Sequence, residues 1–172
     1  MNVNLETERL FLAAWQIADW TAFRPIATDP EVMRYITGGA TWTDDQIQSF
    51  VERQMRLDSE QGFCRWKLLS KATGEIIGFC GVGYWGDAHD LEIGWWLARQ
   101  YWGRGLATEA ERAALRDAFG RVRLTRIVSI ARPANTASIR IMEKLGLQPE
   151  CEFEKDGVRL VRYATGRPAL KD

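Results

Sequence analysis

The residues best equipped for chemistry lie in the run Gln100-Tyr101-Trp102-Gly103-Arg104-Gly105. Ahead of it, Leu91-Glu92-Ile93-Gly94-Trp95-Trp96-Leu97 is rich in aromatic and β-branched side chains with a partial alternation, which predicts a strand. Behind it, residues 106–119 are dominated by Ala, Leu, Glu and Arg and contain no Pro or Gly, which predicts a helix. A strand, a glycine turn and a helix in succession outline an anion site. The glycines permit a tight turn and close approach of a ligand, and the first turn of a helix carries amide protons without intrahelical partners. The alternative is a tight turn packed on a sheet. No G-x-x-x-x-G-K-[ST] occurs in the chain, and the third glycine of the dinucleotide fingerprint would fall at Thr108, so these two nucleotide signatures are excluded.

A second segment, Asn135-Thr136-Ala137-Ser138 followed by a helical stretch ending in Glu143-Lys144-Leu145-Gly146-Leu147, stands one helix and one strand further on. The first run, read as Q/R-x-x-G-x-G/A ahead of a helix, resembles the pyrophosphate loop of the GCN5-related N-acetyltransferases, the GNAT family. Leu106-Ala107-Thr108-Glu109-Ala110 and the N-x-x-S block resemble the branch that includes the ribosomal-protein N-terminal acetyltransferases. Leu5-Glu6-Thr7-Glu8-Arg9-Leu10, Asp29-Pro30-Glu31-Val32-Met33 and the tail from Arg162 to Pro168 fit as well, so the resemblance spans nearly the whole chain.

The resemblance implies acetyl-CoA as co-substrate, with no metal. The pyrophosphate would take backbone amides of Trp102, Gly103, Arg104, Gly105, Leu106 and Ala107, with Gln100 opening the motif and Arg104 adding charge. In the family two central strands splay so that pantetheine inserts between them, which places Trp96 and Leu97 at the cofactor. The Trp96 amide would then polarise the acetyl carbonyl, its indole serving as pocket wall. Glu92 occupies a position where several relatives carry a general base, and alternation puts it on the same strand face as Trp96. A structural strand carboxylate is the other reading. Relatives often place a tyrosine just before Glu-Lys to protonate the departing thiolate, but Met142 stands there and cannot donate a proton. Ser138 is left as the candidate acid and Asn135 as a cofactor contact, with helix N-capping the alternative for both. The implied reaction is N-acetylation of a primary amine, a protein N-terminus or a small molecule, by direct attack in a ternary complex. A non-catalytic acyl-CoA-binding sensor is the alternative.

Composition limits the partners. Net charge is zero, with 23 basic and 23 acidic side chains, which speaks against a polyanion-binding surface and so against nucleic acid. Cys64, Cys80 and Cys151 are scattered and without companion histidines, which predicts buried thiols rather than zinc ligands. No apolar run approaches membrane-spanning length, so no membrane association and a cytoplasmic location are expected, as a monomer or homodimer. The single histidine, His89, falls in a turn-like stretch and reads as solvated.

The positioning elements follow from periodicity. Ile17, Trp20, Phe23 and Ile26 recur at threes, with Pro25 and Pro30 breaking the region. Thr43 and Gln46 have the spacing of a capping box ahead of the stripe Ile47, Phe50, Val51 and Met55, which predicts a helix over 44–60. Residues 38–42 read equally as loop or substrate lid. Strands are expected near 9–12, 63–69, 75–84, 126–131, 147–153 and 159–165, the last two joined by Lys155-Asp156-Gly157. Ala107, Ala110, Ala114 and Ala118 give the central helix a small-residue face, while Glu109 is expected in solvent. One α+β domain over 1–172 is expected, a GNAT fold with a mixed, mostly antiparallel sheet of about seven strands and about four helices.

Overall fold

The computed structural model describes residues 3–86 and 90–166. His89 and the end of the tail, Arg167 and Pro168, lie outside the described residues. The strands are β1 (Val3–Glu6), β2 (Leu10–Ala13), β3 (Arg65–Ser70), β4 (Ile76–Tyr84), β5 (Leu91–Leu97), β6 (Arg126–Ala131), β7 (Gln148–Lys155) and β8 (Val158–Gly166). They form one eight-stranded sheet in the order β1-β2-β3-β4-β5-β6-β8-β7. Every pairing is antiparallel except β5 with β6. The strand beyond the expected seven is β1, four residues long and too short to show periodicity. At the other end of the chain, Asp156 and Gly157 both adopt positive φ, as a two-residue hairpin turn between β7 and β8 requires.

Five helices accompany the sheet: α1 (Asp19–Ala27), α2 (Pro30–Met33), α3 (Asp44–Gln61), α4 (Leu106–Gly120) and α5 (Thr136–Lys144). The one-turn α2 raises the count above four. Pro25, expected to break the first helix, lies inside α1. It sits in the last turn, where its missing amide leaves the i−4 carbonyl of Thr21 without its helix donor, and the helix ends two residues later. Thr43 and Gln46 form both halves of the capping box at α3, with Gln46 N donating to Thr43 Oγ1 at 3.3 Å and Thr43 N to Gln46 Oε1 at 2.9 Å.

The two faces of the sheet are covered differently. Phe23 of α1 and Phe50 of α3 pack on Phe79 of β4, and Phe23 also stacks on Trp96 of β5. Cys80 must point to the opposite face. There it meets α4, whose Ala107, Ala110, Ala114 and Ala118 are all buried. The small-residue face lets α4 lie close over β4 and β5, and that contact fixes where the turn 98–105 delivers the helix start.

Candidate active site

Gly103 (φ 71°) and Gly105 (φ 75°) both take the left-handed conformation that favours glycine, and Gly105 is the N-cap of α4 with no side chain satisfying the helix amides. A Cβ at Gly103 would meet nothing within 4 Å, so its glycine is demanded by conformation and the space beside it is open. The amides of Leu106, Ala107 and Thr108 head the helix without intrahelical partners. The turn is tied down from outside. Arg9 Nη1 donates to the Arg104 carbonyl at 2.9 Å and Arg9 Nη2 pairs with Glu109 at 2.7 Å. Glu109 also accepts from Thr7 Oγ1 at 2.6 Å and from the Arg9 amide at 2.8 Å. Burial pushes the Glu109 carboxyl up, but these hydrogen bonds outweigh it and hold its pKa below the ordinary value. Glu109 therefore anchors the loop to the β1–β2 hairpin instead of lying free in solvent.

Beside this turn the sheet comes apart. β5 and β6 meet at one register point, Glu92 opposite Val128. The ends of the β4–β5 ladder show which backbone groups face the opening. Trp85 N donates to Asp90 O and Ala98 N to Ile77 O, so alternation makes Phe79 and Trp96 a hydrogen-bonded pair. The Trp96 amide is therefore bound to β4, and its assignment as the group that polarises an acetyl carbonyl is corrected. The backbone groups turned toward β6 are those of Ile93, Trp95 and Leu97. Trp102 Nε1 donates to the Leu97 carbonyl at 2.7 Å, linking the turn to the end of β5. The Trp96 indole packs among Phe23, Trp42 and Phe79, as a wall.

Two side chains end the β5–β6 ladder. If it continued, the Ile130 amide would bond the Ile93 carbonyl. Instead the Ser129 hydroxyl donates to the Ile93 carbonyl at 3.1 Å, and the Ile130 amide lies toward the Glu92 carboxylate and favours its charged form. Glu92 thus sits at the vertex of the gap. It is nearly buried and pairs with Arg65 Nη2 at 2.5 Å. Burial raises its pKa above the ordinary carboxylate value, against the opposing pull of the Arg65 charge, the Ile130 amide and the Arg65 hydrogen bond.

Asn135 caps α5, its Oδ1 accepting from the Ser138 amide at 3.3 Å, while the Ser138 hydroxyl has no partner among the described residues. Met142 is buried in the core at 1% exposure, so the helix offers no acid at that position. Gln100 lines a separate cavity of about 850 Å3 between α1, α2 and the ends of β2, β3 and β4. None of Glu92, Trp95 or Ser138 reaches that cavity, which makes it a poor candidate for the reaction despite its size. Residues 38–42 span the mouth of the gap, with Trp42 on Trp96 at 4.6 Å and Gly38 close to the Arg132 guanidinium. Two of the three thiols, Cys64 and Cys80, are buried as expected, whereas Cys151 is exposed. Among the described residues no group of three potential metal ligands comes together.

Arg65 and Ser129 escaped the sequence reading. Nothing near Arg65 in the chain marks it as the partner of a residue 27 positions away, and a serine inside an apolar strand carries no signal of its own.

An amide-headed turn beside an unzipped strand pair suits an acyl-CoA-dependent acyltransferase, with amides for a diphosphate and free strand edges for an extended chain. The acetyltransferase (GNAT) domain family matches residues 9–148, and the chain belongs to that family. A Bacillus licheniformis protein described as the uncharacterized N-acetyltransferase p20 is 31% identical over 161 residues, 91% of this chain and 90% of that protein. The crystal structure of a GNAT-family acetyltransferase from Bacillus anthracis superposes with a TM-score of 0.80 at 27% identity, covering 97% of this chain and 99% of that one. A ribosomal L7/L12 α-N-protein acetyltransferase in complex with coenzyme A shares the fold, with a TM-score of 0.81 at 16% identity, 98% of this chain and 99% of that one.

Proposed function

We propose that the protein transfers the acetyl group of acetyl-CoA to a primary amine by direct attack within a ternary complex. The observation that carries this reading is the gap between β5 and β6, closed at one end by Glu92 and opening at the other onto the free amides of α4. The residues fit the co-substrate: Trp95 and Leu97 offer backbone groups to an extended chain, while Leu106, Ala107 and the positive-φ glycines offer amides and space to a diphosphate. Bound acetyl-CoA supplies an activated thioester. Around it, Arg104 adds positive charge outside the turn and the Leu97 or Trp95 amide replaces Trp96 as donor to the developing oxyanion. Glu92 takes the proton of the acceptor amine. Ser138, with its hydroxyl free of protein partners, faces the departing sulfur, and Asn135 holds the Ser138 backbone in place.

The acceptor is a protein N-terminus or a small-molecule amine, approaching past Trp42 and Trp96 from the side of α1 and α3. The setting is the cytoplasm, as a monomer or homodimer. The test is a screen of free α-amino peptides, amino acids and alkyl amines with acetyl-CoA, followed by release of free thiol. Amine-dependent thiol release supports transfer. CoA binding without release for any amine points instead to an acyl-CoA sensor.

A further inference from the structure

Arg65 stands at the start of β3 with its backbone fixed on both sides: its amide donates to Gln54 Oε1 at 3.0 Å, and its carbonyl accepts from Trp15 Nε1 at 2.6 Å. From that anchored backbone the side chain lies flat across the sheet, over β4 and β5, to reach Glu92. Its path runs over Gly83 and Gly94. A Cβ at Gly83 would stand 3.2 Å from the guanidinium carbon, and one at Gly94 would stand 3.3 Å from Nε. Neither glycine has a positive φ, so the backbone does not call for glycine at either place. What needs the missing side chains is the guanidinium, for which the two glycines form a trough.

The far end of the trough is the vertex of the gap, where the Glu92 carboxylate also lies toward the Ile130 amide. Both partners are nearly buried, with side-chain exposures of 14% for Arg65 and 12% for Glu92. An ion pair that serves only stability is poorly explained there, because burying both charges offsets most of their attraction. An ion pair that fixes a carboxylate beside a reaction gap is well explained, since a misplacement of about 1 Å costs on the order of a hundredfold in rate.

We propose that Arg65 is a positioning residue for the transfer reaction, lying in the Gly83–Gly94 trough to hold the Glu92 carboxylate at the point where β5 and β6 part. This rests on the reading of Glu92 as the base. The proton leaving the acceptor's ammonium nitrogen goes to a Glu92 carboxylate oxygen, the nitrogen lone pair is freed to attack the thioester, and Arg65 takes no part in the proton transfer. The groups facing the pair are few. Arg65 comes from β3, Gly83 of β4 contributes no side chain, β6 offers the Ile130 amide, and from α3 Arg53 brings its positive charge within range of Arg65. Arg65 is thus the one cation in contact with the carboxylate among the described residues, and loss of its charge moves the proton affinity of Glu92 upward.

The test is the pH profile of kcat/KM with acetyl-CoA and the amine that gives the fastest thiol release in the screen above. Wild type, Arg65→Gln, Arg65→Lys, Gly94→Ala and Glu92→Gln are compared, each checked for folding by its melting curve. Arg65→Gln should move the acid limb of the profile to higher pH by about one unit or more. Arg65→Lys, which keeps charge without the planar reach, should restore part of the shift. Gly94→Ala leaves every charge in place but pushes the guanidinium aside, and should move the limb in the same direction by less. Rates that fall by one factor at all pH values, with the acid limb unmoved in both Arg65→Gln and Gly94→Ala, would overturn the proposal and leave Arg65 a structural residue. The underlying reading fails separately: Glu92→Gln turning over like wild type at every pH would remove the base itself.

Discussion

Glu111 presents a sharp conflict between sequence position and environment. It lies in α4 beside the alanine face, is fully buried, and neither carboxyl oxygen has a hydrogen-bond partner among the described residues. Burial alone pushes its pKa well above the model-compound value of 4.5. The folded protein therefore keeps the proton in a range where the unfolded chain has released it. Unfolding then sheds a proton, and stability falls as pH rises from about 4.5 toward the folded-state pKa. One proton sets the slope at about 1.4 kcal/mol per pH unit. Glu111→Gln keeps the shape and cannot ionise, so this slope disappears. Urea unfolding at a series of pH values should show the difference, variant minus wild type, growing in the variant's favour as pH rises above about 4.5, with about 1.4 kcal/mol per pH unit as the limiting slope. Near pH 4 the two proteins should be close, since each then buries a neutral polar group. A difference that stays constant from pH 4 to pH 7 would refute the reasoning, because it would mean that Glu111 is no more protonated in the folded state than in the unfolded chain.

Three further outcomes are expected. Ser138→Ala should lower turnover at saturating substrates more than it weakens CoA affinity, because a donor to the sulfur matters most as charge develops there; single-turnover rates and calorimetric binding separate the two. Glu92→Gln should be slower than wild type at neutral pH by roughly a hundredfold or more, with the deficit shrinking as pH approaches the acceptor amine's own pKa, where the amine arrives already neutral; a rate–pH series reads this directly. Thr43→Ala removes one half of the α3 capping box and should cost about 1 kcal/mol, seen as a melting temperature lower by a few degrees with CoA affinity unchanged.

Local rules were legible where their signals are local. Thr43 and Gln46 capped α3 at the expected positions, Asp156-Gly157 turned the last hairpin, and Gly103 and Gly105 took the positive φ that an anion-binding turn requires. The strand alternation that put Glu92 and Trp96 on one face was also right. The backbone of Trp96 was misjudged for a physical reason: whether a residue's amide faces one neighbouring strand or the other depends on ladder register, which side-chain pattern does not report. Arg65 could not be read as the partner of Glu92, because nothing local distinguishes a long-range ion pair from two unrelated strand charges. The glycines beneath it could not be read either: Gly83 and Gly94 have no positive φ, and what calls for glycine there is the guanidinium above them. Glu111 was legible in principle, since it falls four residues after Ala107 on the buried side of α4, yet an acidic side chain at that spacing is ordinarily assigned to solvent.

The central claim is that the Gly103–Gly105 turn and the amides of α4 hold the diphosphate of acetyl-CoA. Calorimetric titration of CoA into wild type, Gly105→Ala and Gly105→Glu tests it most directly. A β-carbon at Gly105 would lie 3.6 Å from Arg9 Nη2, so both variants share backbone strain and only the second adds negative charge and bulk where the diphosphate belongs. Wild type should bind, and CoA at about a hundred times its dissociation constant should stabilise the fold by roughly 2.7 kcal/mol. Gly105→Ala should bind more weakly, and Gly105→Glu should lose both binding and stabilisation. CoA affinity in Gly105→Glu equal to that of Gly105→Ala, with both proteins folded, would contradict the account and place the cofactor elsewhere.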